Sequence, residues 1–262
     1  MSNQGFNNQN IIIAGGFRGM GFELSKLLLD EGAKIVLIGR DSNNGKKAGR
    51  LLNKSNHKGK LKIINGDLSE ASTLDVIQGQ IDLWFAGKVH HLAIFLGSGK
   101  TEFGHDFPLD HWRKQFDINV FSPIGVVQTF YRMMLHKEGN PSITLTAAIS
   151  GIERVRAPMT YSIAKSAIIS YGNHLAEALV EKGIRVNTIS PGNVFYKGGR
   201  WEELLAERGD EIDSFLKKSV GMQRLGTAKE LAWVYFATMS PNNAFMTGQN
   251  IVADGLQVKR IL

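Results

Sequence analysis

Short apolar runs alternate with longer amphipathic segments along almost the whole chain. The first two runs are Asn10–Ala14 and Lys34–Ile38, and others follow at 61–64, 92–96, 142–147, 184–189 and 250–252. Such runs are typical of strands buried on both faces of a parallel sheet, and right-handed crossovers place helices on both sides. The sequence therefore predicts a single α/β domain over residues 1–262, with a doubly wound parallel sheet of about seven strands.

The segments between the runs predict helices at about 44–54, 70–87, 108–137, 160–182 and 227–239. Residues 191–221 break the alternation, with Gly198 and Gly199 before a charged helix near Trp201 to Arg208. In a doubly wound sheet, ligands bind beyond the carboxyl ends of the strands. We therefore expect residues 191–221 to form a substrate lid, with a plain surface insertion as the alternative.

The composition argues against several kinds of chemistry. The 262 residues include no cysteine, which excludes disulfides, thiolate catalysis and cysteine-ligated zinc and fits a cytoplasmic location. The seven histidines form no H-E-x-x-H or similar spacing, so we expect no metal. No apolar run approaches the roughly 18 residues that span a bilayer, and we expect no membrane association.

The positive charge is concentrated in one stretch. The net charge is +7, and seven basic residues without an acid lie between positions 42 and 66: Lys46, Lys47, Arg50, Lys54, Lys58, Lys60 and Lys62. This stretch lacks the aromatic side chains or reading helix of a nucleic-acid-binding surface, and we expect no nucleic-acid partner. It is either a solvated surface or a supporting field for an anionic ligand.

A glycine cluster joins the first predicted strand to the first predicted helix. Gly15, Gly19 and Gly21 follow the spacing G-x-x-x-G-x-G. Glycines allow the main chain to turn sharply and to approach a phosphate at a helix N-terminus, where free N–H groups favour anions. The cluster therefore predicts a dinucleotide site.

This spacing resembles the glycine motif of the short-chain dehydrogenase/reductase family, and further landmarks follow in the family's order. They are Asp67 with Leu68, Gly97 after the fourth strand, Asn119, Tyr161-x-x-x-Lys165, Pro191 with Gly192, Thr247 with Gly248, and Asp254 with Gly255. The resemblance covers about residues 8–258 and implies a Rossmann-type fold, a nicotinamide cofactor and a small-molecule carbonyl or alcohol substrate. The cofactor-binding residues that we expect are Gly15, Arg18, Gly19, Gly21, Arg40, Asp67, Leu68, Gly97, Tyr161, Lys165, Pro191, Gly192 and Val194.

The end of the second strand indicates which nicotinamide cofactor is used. An acid there would accept a hydrogen bond from the ribose 2′-hydroxyl of NAD. This chain has Gly39 followed by Arg40, whose planar guanidinium can pair with a 2′-phosphate. Arg18 adds a second cation where NADP-dependent members of the family place one. The sequence therefore predicts NADP(H).

Tyr161 and Lys165 are four residues apart, so a helix places them on one face. A neighbouring ammonium is expected to lower the pKa of the phenol towards its working range. The resemblance implies that Tyr161 exchanges a proton with the substrate oxygen and that Lys165 also holds the nicotinamide ribose. It further implies that Asn119 bends its helix and supports a proton-relay water, and Pro123 is consistent with a distorted helix.

One catalytic position departs from the family pattern. The carbonyl-polarising serine should lie thirteen residues before Tyr161, where the chain has Ala148. The loss of one such donor typically costs about 10²–10³ in rate. Ser150 and Thr146 lie two residues away, roughly 6–7 Å along a strand, so neither is assigned the role.

Other departures cluster near the nicotinamide end. The family's N-N-A-G motif aligns with Ile94–Gly97, and only its glycine is kept. Apolar side chains replace the other motif residues, so we expect packing to stabilise that region. Tyr196 replaces a threonine, and Leu256 replaces the second glycine of D-G-G. We expect the substrate site to be lined on one side by residues 193–201 and on the other by Phe103 to His111.

These features favour an NADP(H)-dependent oxidoreductase that interconverts a ketone and a secondary alcohol. The alternatives are a catalytically impaired cofactor-binding protein, acting as a sensor or partner subunit, and a redox-neutral enzyme such as an epimerase or dehydratase. The resemblance also implies a homo-oligomer, a tetramer or dimer, formed through helices 108–137 and 160–182. The candidate interface residues are Met133, Met134, Leu135, the segment 176–179 and the apolar tail 258–262.

Overall fold

A computed structural model describes residues 5–53, 57 and 59–259. Lys54, Lys58 and the last three residues of the tail lie outside this range. The strands are β1 (Asn10–Ala14), β2 (Lys34–Gly39), β3 (Leu61–Asn65), β4 (His91–Ile94), β5 (Ser142–Thr146), β6 (Arg185–Pro191), β7 (Val194–Phe195), β8 (Gly226–Thr227) and β9 (Asn250–Ala253). The main sheet has seven parallel strands in the order β3-β2-β1-β4-β5-β6-β9. The predicted fold class is confirmed.

The helices cover both faces of this sheet. They are α1 (Gly19–Asp30), α2 (Ser42–Leu52), α3 (Ala71–Phe85), α4 (Leu109–Phe116), α5 (Ser122–Phe130), α6 (Met159–Val180), α7 (Arg200–Ser219) and α8 (Ala228–Met239). Alternate residues of β1 enter two separate apolar cores: Ile12 packs with α3, α5 and α6, and Ile13 packs with α1 and α8. Strand order reverses between β1 and β4, which is where a doubly wound sheet binds its ligand.

The helical segment predicted over 108–137 is distorted around Asn119, as the resemblance implied. α4 ends at Phe116, residues 117–121 form a π-helical turn, and α5 begins at Ser122. The Asn119 side chain donates to the main-chain oxygen of Gln115 at 3.0 Å. Pro123 has no N–H with which to continue the helical pattern towards Asn119. The widened turn therefore carries Asn119 at its centre.

The 191–221 segment forms a helical hairpin rather than one short helix. α7 runs from Arg200 to Ser219, with non-helical backbone at Arg208. Trp201 and Phe215 stack with their rings 6.2 Å apart, although fourteen residues of straight helix would separate them by about 21 Å. The two halves therefore fold back on each other. They enclose a small apolar cluster of Ile212, Leu216 and Val220.

Several residues that we considered for a subunit interface lie inside the core. Met134 is fully buried, and Met133, Ala176 and Leu179 are nearly so. Leu135 is exposed. The core thus accounts for the apolar character of most of these positions. Among the described helices, none combines the length and the apolar character that crossing a membrane requires.

Candidate active site

Asn119, Gly97 and Lys165 meet at the carboxyl end of β4. A methyl group added at Gly97 would lie 2.6 Å from Lys165 Nζ and 2.7 Å from Asn119 Oδ1. Gly97 also has φ +135°, a conformation that side-chain-bearing residues rarely adopt. The absence of a side chain at Gly97 therefore lets two polar side chains from different helices converge.

Ser98 and Gly99 complete this arrangement, and neither was predicted from the sequence as a site residue. Asn119 Oδ1 accepts from the Ser98 main-chain N–H at 2.9 Å, and its Nδ2 donates to the Ser98 main-chain oxygen at 3.2 Å. A methyl group at Gly99 would lie 3.5 Å from Cζ of Tyr161. The pattern Gly-Ser-Gly directly after a buried strand was the available signal. This loop runs between Asn119 and the phenol ring.

Lys165 is almost fully buried on α6, at 2% exposure. Its ammonium donates to the main-chain oxygens of Thr146 at 3.1 Å and Leu96 at 3.4 Å. Burial lowers the pKa of Lys165 to about 8, because the charged form loses solvation. This lysine lies within the site and is not a surface residue of an amphipathic helix.

Tyr161 lies one turn before Lys165, with the ammonium 5.7 Å from its ring centroid. The expectation that this ammonium lowers the pKa of the phenol was wrong. Burial, together with nearby Tyr196, raises the pKa of Tyr161 to about 12. The physical reason is that the phenolate form would lose its solvation in this buried position. Tyr161 is therefore a neutral phenol at neutral pH.

The position of the missing serine is held by Ala148, in extended backbone before a short 3₁₀ turn. The Ser150 hydroxyl is buried and has no hydrogen-bond partner within the described part of the chain. The Thr146 hydroxyl contacts the Ile94 main-chain oxygen at 2.6 Å and the Tyr235 hydroxyl at 2.8 Å. Neither hydroxyl is hydrogen-bonded to Tyr161.

The glycine loop leads into α1, whose N-terminus carries no side-chain cap and no acidic residue in its first turn. Gly15 and Gly19 have φ of +83° and +59°. A methyl group at Gly21 would lie 2.7 Å from Cα of Gly16, so the loop and helix touch closely. The first N–H groups of α1 are left for another acceptor, which is the property that phosphate sites use.

Arg40 and Asp67 lie side by side beyond the ends of β2 and β3. Arg40 Nη1 is 3.8 Å from Asp67 Oδ2, and both side chains are substantially exposed. Hydrogen bonds from the Ser69 main chain and hydroxyl lower the pKa of Asp67, and Arg40 adds to this. Leu68 is buried in the core, so only its main chain can face a ligand.

Arg18 does not join Arg40. It donates from Nη1 to the main-chain oxygen of Gly198 at 2.9 Å, which links the glycine loop to the 191–221 segment.

Pro191 ends β6, and Gly192 and Val194 follow at the same edge. A methyl group at Gly192 would lie 2.8 Å from Cα of Asp254, which brings this turn against the end of β9. Val194 is buried beside Ala228 and Leu231. These residues therefore anchor the first end of the 191–221 segment.

The residues that replace N-N-A-G are stabilised by packing, as expected. Phe95 packs on Tyr235 with ring centroids 4.5 Å apart, and Leu96 packs against the core. In the 103–111 segment, Phe107 stacks on His111, and Thr101 is hydrogen-bonded to His111 at 3.0 Å.

A second polar cluster lies at the other end of the sheet, and sequence spacing did not reveal it. The ligand atoms of His90, His136 and Glu138 lie within 4.8 Å of one another. Both rings already bind main chain: His90 Nδ1 accepts from Asn10, and His136 Nε2 lies 2.9 Å from the Val89 oxygen. Glu138 pairs with Lys88 at 2.8 Å. We assign this cluster to chain packing.

The chain was compared with known proteins. A family model described as enoyl-(acyl carrier protein) reductase matches residues 15–255. The chain belongs to the short-chain dehydrogenase/reductase family. Relatives in this family include 3-oxoacyl-acyl-carrier-protein reductase FabG of Chlamydia muridarum, 26% identical over 95% of this chain and 96% of the relative. Isoepoxydon dehydrogenase patN of Penicillium expansum is 27% identical over 96% of this chain and 95% of the relative. The family assignment makes the chain an oxidoreductase in general terms.

Solved structures of short-chain dehydrogenases/reductases share the fold. The L-sorbose reductase of Gluconobacter frateurii, complexed with NADPH and L-sorbose, superimposes with a TM-score of 0.90. It is 22% identical, with 99% of this chain and 100% of that chain covered. A short-chain dehydrogenase/reductase of Serratia marcescens gives a TM-score of 0.84 at 23% identity, covering 95% and 98% of the two chains.

Proposed function

We propose that this protein is an NADP(H)-dependent oxidoreductase that interconverts a ketone and a secondary alcohol on a small molecule. The observation that carries the proposal is the convergence of Lys165 Nζ and Asn119 Oδ1 on Gly97, one helical turn from Tyr161. A binding site alone does not need a phenol beside this group. The names of the relatives, which are reductases and dehydrogenases, support the same class of reaction.

The residues present fit a nicotinamide dinucleotide. The uncapped N-terminus of α1 and the loop from Gly15 to Gly21 suit a pyrophosphate. Gly39, followed by Arg40, stands at the end of β2, the position where an acid would accept a hydrogen bond from the ribose 2′-hydroxyl of NAD. The NADPH named for the L-sorbose reductase structure supports the phosphorylated cofactor. When bound, the nicotinamide supplies or accepts the hydride.

Side chains of the protein supply the proton transfer and the charge that the reaction also needs. The neutral Tyr161 phenol donates a proton to the carbonyl oxygen during reduction, and the phenolate takes it back in the reverse direction. Lys165 supplies positive charge beside the phenol and binds the ribose. Asn119 holds the Ser98 main chain in place through its hydrogen bond. The widened turn around Asn119 leaves room for a water that relays protons. With Ala148 in place of serine, the carbonyl oxygen relies on Tyr161 or on a water.

The proposal is tested by NADPH oxidation with a mixed panel of β-ketoacyl thioesters, keto-sugars and cyclic ketones, with NADH as the cofactor control. Tyr161→Phe should abolish the turnover. Tyr171→Phe is the matched control, because Tyr171 lies on the same helix ten residues beyond Tyr161, nearly three turns away, and the loss of its hydroxyl should leave the rate unchanged. Equal loss in both variants would contradict the assignment.

Ala148 also favours a second candidate, a cofactor-binding protein without hydride turnover. In the same experiment it predicts tight NADPH binding with no oxidation of any panel member. A redox-neutral reaction instead predicts substrate loss without net formation of NADP⁺.

We also propose that residues 191–221 form the substrate lid. Ion pairs join this segment to two neighbouring parts of the chain, from Glu203 to Lys100 at 3.4 Å and from Glu211 to Arg156 at 3.7 Å. A homo-oligomer remains part of the proposal, supported by exposed apolar side chains on the helices expected to form it, such as Leu109 and Val180. The cytoplasmic location stays a prediction.

A further inference from the structure

The ring of Tyr196 lies directly against the glycine loop. A methyl group added at Gly19 would lie 3.2 Å from three atoms of this ring, Cδ1, Cε1 and Cζ. On the other side, a methyl group at Gly199 would lie 2.8 Å from the ring carbon Cζ. The ring therefore occupies a slot between two glycines, one in the loop and one in the lid.

A hydrogen bond beside this slot holds the same two segments together. Arg18 precedes Gly19 and donates to the main-chain oxygen of Gly198, which precedes Gly199. Tyr196 and Met20, in the first turn of α1, pack against the same apolar cluster of Val194, Ala228 and Leu231. The lid thus contacts the glycine loop at two consecutive residues, Arg18 and Gly19.

This contact covers the surface that a dinucleotide needs. The proposed function places the pyrophosphate at Gly19 and the N-terminus of α1. An aromatic ring and a phosphate group cannot both be in van der Waals contact with the same face of Gly19. We propose that Tyr196 is a gate residue that blocks the cofactor cleft in the free protein and must leave Gly19 before the dinucleotide binds. This inference rests on the proposed function.

The gate has a thermodynamic and a kinetic consequence. A site that is open for only a fraction of the time binds its ligand more weakly by that same fraction. A ring that covers Gly19 for about nine-tenths of the time therefore weakens cofactor binding about tenfold. Binding should also become limited by departure of the ring at high cofactor concentration.

The experiment is stopped-flow binding of NADPH to the full chain, followed by energy transfer from the four tryptophans. In the wild-type protein and in Tyr196→Phe, which keeps the ring, the observed rate should level off as NADPH increases. In Tyr196→Ala it should rise linearly, with Kd for NADPH about three- to tenfold lower. Phe195→Ala is the matched control, because it removes the neighbouring ring and should keep the levelling-off.

Weaker or unchanged binding in Tyr196→Ala would overturn the inference, because the ring would then be part of the bound site or irrelevant to it. Binding by Tyr196→Ala but not by the wild type would support it strongly. If no variant binds NADPH or NADH, the proposed function fails and the inference fails with it. NADPH binding that is insensitive to Tyr196 contradicts the inference alone.

Discussion

Gly97 approaches Lys165 so closely that a methyl group at this glycine would lie 2.6 Å from the lysine Nζ. The same methyl group would lie 2.7 Å from Asn119 Oδ1. One glycine therefore sets the relative positions of two side chains that come from different helices. The proposed roles of Lys165 and Asn119 depend on this close approach.

Gly97→Ala should lower kcat/KM by about 100-fold, because it displaces Lys165 and Asn119 by roughly 1 Å. Gly59→Ala is the control for backbone strain. Gly59 also has positive φ, but nothing lies within 4 Å of the added methyl group. Both variants should be less stable, while only Gly97→Ala should lose activity. Equal kinetics in the two would contradict the assigned contact.

Ala148→Ser should raise kcat for ketone reduction, by about tenfold or more and at most about 10²–10³, because it restores a hydroxyl beside the developing oxyanion. Ser150→Ala should leave kcat unchanged, since the Ser150 hydroxyl has no partner within the described residues. Steady-state rates on the best panel substrate measure both. A large loss in Ser150→Ala would transfer the serine's role to that residue.

Arg40→Ala should raise KM for NADPH by about 10- to 100-fold, the range expected when a charged hydrogen bond of roughly 1.5–3 kcal/mol is lost. KM for NADH should change little, because that cofactor has no 2′-phosphate. Parallel titrations with NADPH and NADH, in wild type and variant, give the change in KM for each cofactor. A similar rise for both would place Arg40 outside the phosphate site.

Activity should fall as pH rises through about 8. Burial lowers the pKa of Lys165 from 10.5 to about 8, so the ammonium is present below that pH and lost above it. Burial raises the pKa of Tyr161 to about 12, so the phenol stays protonated across this range. A profile of kcat/KM from pH 6 to 10 measures this fall in activity. A flat profile to pH 10 would show that the lysine charge is not required.

The protein should lose stability on acidification. His91 is fully buried, and burial holds its pKa well below 6.5 in the folded state. The unfolded chain therefore takes up a proton below about pH 6.5 that the folded chain does not. Urea unfolding at pH 8 and pH 5 should differ by about 2 kcal/mol from this residue. His91→Gln removes the titrating group and should reduce the difference.

The sequence was sufficient to predict the sheet and most of its helices, because buried parallel strands leave continuous apolar runs such as Lys34–Ile38. It did not predict the break of the 108–137 helix in detail, since the π turn depends on the contact of Asn119 with Gln115. The folded-back shape of α7 was also missed. It depends on the stacking of Trp201 on Phe215, which no local pattern encodes.

The identities of the site residues followed from motifs, but their interactions did not. Spacing indicated that Tyr161 and Lys165 share a helix face, yet the direction of the phenol pKa shift depends on burial and on Tyr196. Arg18 is predicted to lie near a phosphate, and its hydrogen bond to the main-chain oxygen of Gly198 was not foreseen. Such contacts join residues about 180 positions apart, which a single sequence does not relate.

The central claim is that the chain transfers hydride, with Tyr161 as the proton donor. The most direct measurement is the ratio of NADP⁺ formed to alcohol formed, on the ketone that the wild-type protein turns over fastest. The account predicts one NADP⁺ for each alcohol, and no formation of either product by Tyr161→Phe. Substrate consumption without NADP⁺, or full activity in Tyr161→Phe, would contradict it.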